Sequence, residues 1–187
     1  MNQLQFTQSK PSINNNWSKE EKLDFLMNEY GDKIIRLAYS YVRTKHSAED
    51  IAQEVFIKCY EHLDEFRGDS SHKTWLYKIA INKCKDHLKS WSHRNVVLTE
   101  IKTSIQKVMH PASDIECIRK EEGQFISEKI LSLPRKYREV IIFYYYEGLS
   151  LKEISNLLNL NINTIKSRFY RGKKLLEKEL KGGDFLE

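Results

Sequence analysis

The sequence predicts an all-α protein: two small helical domains joined by a flexible linker, the second containing a helix-turn-helix. Three observations carry this. Apolar residues recur at helical spacing over most of the 187 residues, and no stretch alternates with period two for long. The periodicity fades between Ser92 and Asp114, where Pro111 blocks helix continuation, and then resumes. Near the C-terminus, a short amphipathic segment from Ser150 to Leu158 and a basic segment from Thr164 flank an Asn-rich turn. Two short helices about a tight turn, the second cationic, is the sequence form of a helix-turn-helix and makes nucleic acid the default partner.

The elements follow in order. Residues 1–18 are polar, with Asn14-Asn15-Asn16, and read as a flexible tail. From Lys22 to Val42, Leu23, Leu26, Tyr30, Ile34, Leu37 and Tyr41 mark one helical face. Ser47-Ala48-Glu49-Asp50 has the form of a capping box with Ser47 as N-cap. It opens a helix with Ile51, Val55, Cys59 and Leu63 inward. Arg67 to Ser71 is a loop by composition. A third helix runs from about Lys73 to Trp91, its stripe Leu76, Ala80, Cys84, Leu88 and Trp91. After the linker, residues 93–114, a helix is expected from Ile115 to Leu131. Pro134 separates it from a helix holding Tyr137, Val140, Ile141 and Tyr144, and Gly148 suits that helix's C-terminal cap. The expected domains are 19–92 and 115–187.

The net charge of +5 permits a polyanion partner without requiring one. Its placement says more: from Asn163 to Lys174 the charged residues are Lys166, Arg168, Arg171, Lys173 and Lys174, with no acid among them. Three cysteines, Cys59, Cys84 and Cys117, are far apart and form no C-x-x-C pair, so plain core thiols in a reducing cytosol are expected, and no metal site or cofactor. The chain begins without a basic-then-apolar leader and has no window of membrane-spanning length, so a soluble, cytoplasmic protein with no membrane insertion is expected. No G-x-S-x-G, H-E-x-x-H or Gly-rich phosphate loop occurs, and the reading is not an enzyme.

Three faces carry candidate chemistry. In the last helix Ile165, Phe169, Leu176 and Leu180 form the buried side, with Gly172 where packing is close. Ser167, Tyr170, Arg171 and Lys174 lie opposite, with Lys166 and Asn163 at its start. Arg and Lys bond guanine or phosphate, Ser bonds base edges or phosphate, and Tyr offers apolar contact to a thymine methyl. The bland alternative is a solvated basic helix ending a bundle. Asn159 and Asn163 fit a turn, since Asn tolerates positive φ. In the third helix Lys78, Asn82, Lys85 and Lys89 share a face, near the aromatics Phe66, Trp75, Tyr77 and Trp91. Cations beside aromatics suit melted nucleic acid, whose bases stack or are held out of the helix; core aromatics with a solvated lysine face is the plainer reading. The second helix carries Glu49, Asp50, Gln53, Glu54 and Glu61, an acidic face on a basic chain that fits a protein partner with basic groups or simply solvent.

These segments together resemble a bacterial sigma factor of the extracytoplasmic-function group of the sigma-70 family, over roughly residues 22–181. The resemblance rests on Asp50-Ile51-Ala52-Gln53-Glu54-Val55-Phe56, on Phe66-Arg67-Gly68-Asp69 with Thr74-Trp75-Leu76-Tyr77-Lys78-Ile79-Ala80-Ile81-Asn82, on Leu133-Pro134, and on Thr164-Ile165-Lys166-Ser167-Arg168. It implies that the first domain, region two, binds the clamp of core RNA polymerase through Asp50, Gln53, Glu54 and Phe56. It implies that the same domain opens the −10 element, flipping a non-template base into a pocket of the Phe66–Ser71 loop, with Arg67, Ser70, Ser71, Lys78, Asn82 and Lys85 around it. The second domain, region four, would read the −35 element of promoter DNA through Asn163, Lys166, Ser167, Tyr170, Arg171 and Lys174 and contact the polymerase flap. The resemblance also implies an anti-sigma factor, in this group often membrane-anchored, that covers polymerase-binding surfaces. Asn159, Asn161 and Asn163 stand where the family often has Gly, Pro and Gly.

Two rival readings predict different behaviour. An operator-binding regulator would bind duplex tightly without polymerase, usually as a dimer on two half-sites. A recombinase-like DNA enzyme would need a nucleophile among several arginines, and Ser70 and Ser71 lie beside Arg67 alone.

Overall fold

Seven α-helices and no strand make up the described residues, 13, 16–99 and 121–181, of this computed structural model. α1 (Lys19–Val42) begins at a capping box: the Ser18 hydroxyl accepts from the Glu21 amide at 3.2 Å, and the Glu21 carboxylate accepts from the Ser18 amide at 2.7 Å. It stops at Arg43, whose φ of 66° turns the chain at once. The next helix therefore restarts early. α2 (Lys45–His62) follows Thr44, which makes no side-chain cap bond. Ser47, the expected N-cap, is instead its third residue.

A 3₁₀ turn, Leu63–Glu65, and the Phe66–Ser71 loop lead to α3 (His72–Thr99). The Ser71 hydroxyl accepts from the Thr74 amide at 3.1 Å, capping this helix. α3 continues through residues 93–99, so the linker does not begin at 93 as expected. Residues 100–114, Cys117 and the expected helix start at Ile115 lie outside the described residues, as does the side chain of Trp91. The second half comprises α4 (Glu121–Ser132), α5 (Arg135–Tyr145), α6 (Leu151–Leu158) and α7 (Ile162–Lys181). Gly148 takes φ 65° just beyond α5, and the Leu149 amide bonds back to the Phe143 carbonyl at 3.0 Å.

α1, α2 and α3 pack around Leu26, Ile34, Leu37, Ile51, Val55 and Leu76. Cys59 and Cys84 are fully buried there, and burial pushes both thiols up to about 12, which makes them inert core groups. In the second half Val140, Ile141, Phe143, Ile154 and Ile165 are fully buried between α5, α6 and α7. The two halves touch. α3 packs on α6, the Tyr77 ring lies 5.9 Å from that of Phe143, and the Tyr41 hydroxyl donates to Glu139 at 2.9 Å. Tyr77, read from sequence as one of the aromatics beside the lysine face, is fully buried and points to the second half instead.

Candidate nucleic-acid interface

The helix-turn-helix is built by three local devices. Ser150 and Glu153 form a second capping box, amide to hydroxyl 3.3 Å and amide to carboxylate 2.8 Å, which fixes the start of α6. Asn159 ends α6 with φ 53°, the left-handed conformation anticipated for the turn. Its neighbour closes the turn, the Ser155 hydroxyl donating to the Leu160 carbonyl at 2.5 Å. Asn163 does not adopt positive φ. It is the second residue of α7, and its amide donates to the Asn161 side-chain oxygen at 2.8 Å. Asn161 thus caps α7, which starts two residues before Thr164.

Depth and roll of α7 are set by Gly172 and Arg168. A Cβ on Gly172 would lie 3.1 Å from Ile141 Cγ1 and 3.3 Å from Tyr137 Cβ, so α5 and α7 approach closely only because none is there. The Arg168 guanidinium donates to Glu139 at 3.0 Å from the buried edge of α7. Ile165 and Phe169 go inward. Asn163, Lys166, Ser167, Tyr170, Arg171 and Lys174 are all exposed, as the spacing required. Tyr170 leaves 64% of its surface open, an apolar ring amid cations, and its ring makes an edge contact with Phe169 at 5.5 Å. The basic face also runs further than the sequence reading took it. Lys178 and Lys181 continue the line of Arg171 and Lys174 beside a groove walled by Tyr137. Lys178 lies four residues beyond Lys174 and Lys181 three beyond Lys178, and that spacing was the available signal. Hydrogen bonding to Arg171 holds the Tyr137 phenol below its ordinary value.

In the first half the Phe66 ring packs on His72 at 4.2 Å and on Trp75 at 5.2 Å, with Gly68 at φ 78° bending the loop beside them. Arg67 and Ser70 are exposed on that loop, and Phe66 is half-buried. The Ser71 hydroxyl is committed to its cap and to Thr74, 2.9 Å away. Lys78 and Asn82 are exposed and Lys85 is half-buried on one side of α3. By spacing, Trp75 lies on the same side of α3 as Lys78, Asn82 and Lys85, with Phe66 packed on it, while Tyr77 faces the other way.

On α2, Asp50, Gln53 and Glu54 are exposed, and Glu54 is met by Lys83 at 2.8 Å. Phe56 is 8% exposed and serves the core rather than this face. The apolar residue the face does present is Ile57, 61% exposed, which the sequence reading passed over. It sits three and four residues from Glu54 and Gln53, off the buried stripe, and that offset was the available sign.

Comparison with known proteins agrees with this geometry. The sigma-70 region 2 family matches residues 26–94, and the sigma-70 region 4 family matches residues 126–176. The chain is 37% identical to the ECF RNA polymerase sigma factor SigW of Bacillus subtilis over 159 residues, 81% of this chain and 85% of that protein. It is 34% identical to the RNA polymerase sigma-H factor of Pseudomonas aeruginosa, over 84% of this chain and 85% of that one. In fold it is similar to the sigma factor RpoE of Bartonella quintana, solved in complex with the anti-sigma factor NepR, at TM-score 0.68 and 22% identity over 89% of this chain and all of that one. It is also similar to CnrH, solved with the cytosolic domain of CnrY, at TM-score 0.61 and 19% identity over 88% and 91% of the two chains. Two successive halves, one offering a cationic face beside aromatics and the other a helix-turn-helix, match the two regions in order, and the chain belongs to the extracytoplasmic-function group of the sigma-70 family, the promoter-specificity subunits of RNA polymerase.

Proposed function

We propose that α7 reads the −35 duplex through Lys166, Ser167, Tyr170 and Arg171, with Asn163 and Lys174 on flanking phosphates. The α3 face captures the melted −10 strand. The observation that carries this is the exposed face of α7, where cations, a hydroxyl and one open aromatic ring share a helix held by Gly172 and Arg168. Phe66 and Trp75 form the apolar wall against which a flipped base rests, Arg67 and Ser70 border it, and Lys78, Asn82 and Lys85 follow the strand. Ser71 contributes by capping α3 and shaping the loop. Asp50, Gln53, Glu54 and Ile57 dock on the polymerase clamp, and region 4 contacts the flap. An exposed apolar residue with Glu54 and Glu61 one turn to either side suits a protein partner better than DNA. The chain acts in the cytoplasm by binding, with no catalytic step or cofactor of its own; among the described residues no helix is long and apolar enough to cross a membrane.

The test is reconstitution with core RNA polymerase on cognate promoter DNA. Arg171→Ala weakens −35 reading by about 1–3 kcal/mol, the worth of a bidentate base contact. Asn82→Ala slows strand opening and leaves polymerase binding intact. Unchanged transcription by both variants sinks the residue assignment. Tight operator binding without polymerase would instead favour a free-standing regulator.

One solved relative in fold, RpoE of Bartonella quintana, is held by the anti-sigma factor NepR, which supports the same regulation here. Such an inhibitor displaces the chain from core polymerase in a competition assay. A binding protein that leaves the polymerase complex whole is not one.

A further inference from the structure

The groove between the start of α5 and the C-terminal half of α7 has an apolar floor and a cationic edge. Tyr137 and the exposed Leu175 form the floor, and Arg171, Lys174, Lys178 and Lys181 run along the edge. At about 100° per residue, the four cations fall within roughly a quarter of the helix circumference. They follow one another at spacings of three, four and three, so each adjoins a like charge, an arrangement that costs a helix stability. No carboxylate among the described residues pairs with any of them; Glu177, the acid on this side, lies 3.9 Å from Lys173 instead. Lys136 adds a fifth cation at the wall, its ammonium 5.0 Å from the centre of the Tyr137 ring. The helix dipole accounts for Lys178 and Lys181 in the last turn, but Arg171 and Lys174 lie further in. Lys181 is about 22 Å along the axis from Lys166, so a duplex read at the start of α7 leaves the far end of the line unmatched.

The next residues of the chain have the complementary composition. Gly182-Gly183-Asp184-Phe185-Leu186-Glu187 follows α7 directly and lies outside the described residues. Paired glycines permit the left-handed turn that ends a helix and sends a chain back along it. Beyond them stand two acids, two apolar side chains and no base. Six extended residues span up to about 20 Å, whereas Lys181 back to Lys174 is about 10 Å of helix. The segment is long enough to reach the whole cationic edge.

We propose that residues 182–187 dock in this groove of their own chain, Phe185 on Tyr137 and Leu175 with Asp184 and Glu187 against the lysines, as an internal stand-in for backbone phosphate. Covalent attachment gives the segment a high effective concentration, so individually weak contacts hold it. Occupying Lys174 and Lys178, it competes with duplex for them; this consequence rests on the reading of α7 as the DNA-facing helix. Sequence-independent binding depends on phosphate contacts alone and loses most to the competitor. A cognate promoter adds base contacts and polymerase, and displaces it. The docked segment therefore sharpens discrimination by subtracting from binding that carries no sequence information.

Two measurements on the full chain test this. In the free protein, labelled in Phe rings and Leu methyls, a cross-relaxation peak joins the Phe185 ring to the Leu175 methyls and is lost in Phe185→Ala. Its absence overturns the proposal. So does its appearance between separately labelled copies in a mixed sample, which would make the occupant a second chain. Binding to a short duplex of random sequence at low salt is then compared for the parent, for a chain ending at Lys181, and for Phe185→Ala, which keeps both acids. Ending the chain at Lys181 tightens binding about threefold or more and steepens the salt slope by about 2, one for each freed cation. Phe185→Ala gives most of the same gain. If it behaves like the parent while the shortened chain binds more tightly, the acids act through net charge alone and the docking is overturned. The first measurement uses no DNA, so a mistaken assignment of α7 to DNA would erase the differences in affinity and leave the peak in place.

Discussion

Lys83 on α3 reaches Glu54 on α2, 2.8 Å away, so a carboxylate assigned to polymerase already has a partner within its own region. Both groups are partly solvated, and the pair contributes little to stability, about 0–1 kcal/mol. Lys83→Ala should leave the thermal midpoint almost unchanged and bind core polymerase at least as tightly as the parent. Glu54→Ala should bind more weakly. Equilibrium titration of fluorescent chain with core polymerase checks the order, and weaker binding by Lys83→Ala would contradict it.

Gly172 is the contact point of α5 and α7. Ile141 Cγ1 could shift by rotation, but Tyr137 Cβ is fixed by its backbone, so a larger residue must push the helices apart. Gly172→Val should destabilise the chain by about 2 kcal/mol. It should also displace the exposed face of α7 and reduce −35 binding. Chemical denaturation and duplex binding, measured on the same preparation, test both halves of this statement.

The basic line along α7 divides by distance from the base-reading end. Arg171→Ala should relax discrimination among −35 sequences. Lys174→Ala with Lys178→Ala should instead weaken all sequences alike and reduce the salt slope of binding by about 2, one for each lost phosphate contact. Affinities of the holoenzyme across a salt series, on matched and mismatched elements, separate the two behaviours.

His72 supplies the pH dependence. Burial, then the nearby Lys22 charge, lowers its pKa from the ordinary 6.5. Between the folded and unfolded values the unfolded chain binds the extra proton, so stability rises with pH through that window. The contribution is complete above about 6.5 and disappears as pH falls through the depressed folded value. Protonation also sets a charge within the Phe66–His72 contact. Proton NMR of the imidazole should show a midpoint below 6.5, and loosening of Phe66 should accompany the acid limb.

Much of this was legible in the chain. The apolar stripes of α1, α2 and α3, the Ser150 cap and the buried side of α7 follow from spacing and from residues with one dominant local preference. The misreadings share a cause. Ser47 has the composition of a cap, but the left-handed Arg43 had already turned the chain, and no local pattern announces an arginine at positive φ. Tyr77 and Phe56 occupy positions where helix spacing alone fits either a core or a binding role; which face meets another element is decided by packing. The Tyr41–Glu139 bond joins residues 98 positions apart and leaves no sequence signal at all.

That separation has a consequence during synthesis. A ribosome adding about 5–20 residues per second takes roughly 5–20 seconds to pass from Tyr41 to Glu139. From the addition of Tyr77 until the second half arrives, the nascent chain displays the Tyr77 face with nothing from that half to cover it. The earliest customer of that surface is then whatever meets the emerging polypeptide, and a transcript cut short before α5 leaves a product whose sticky side is never sheltered. Quality control of this factor therefore begins with how promptly its second half arrives.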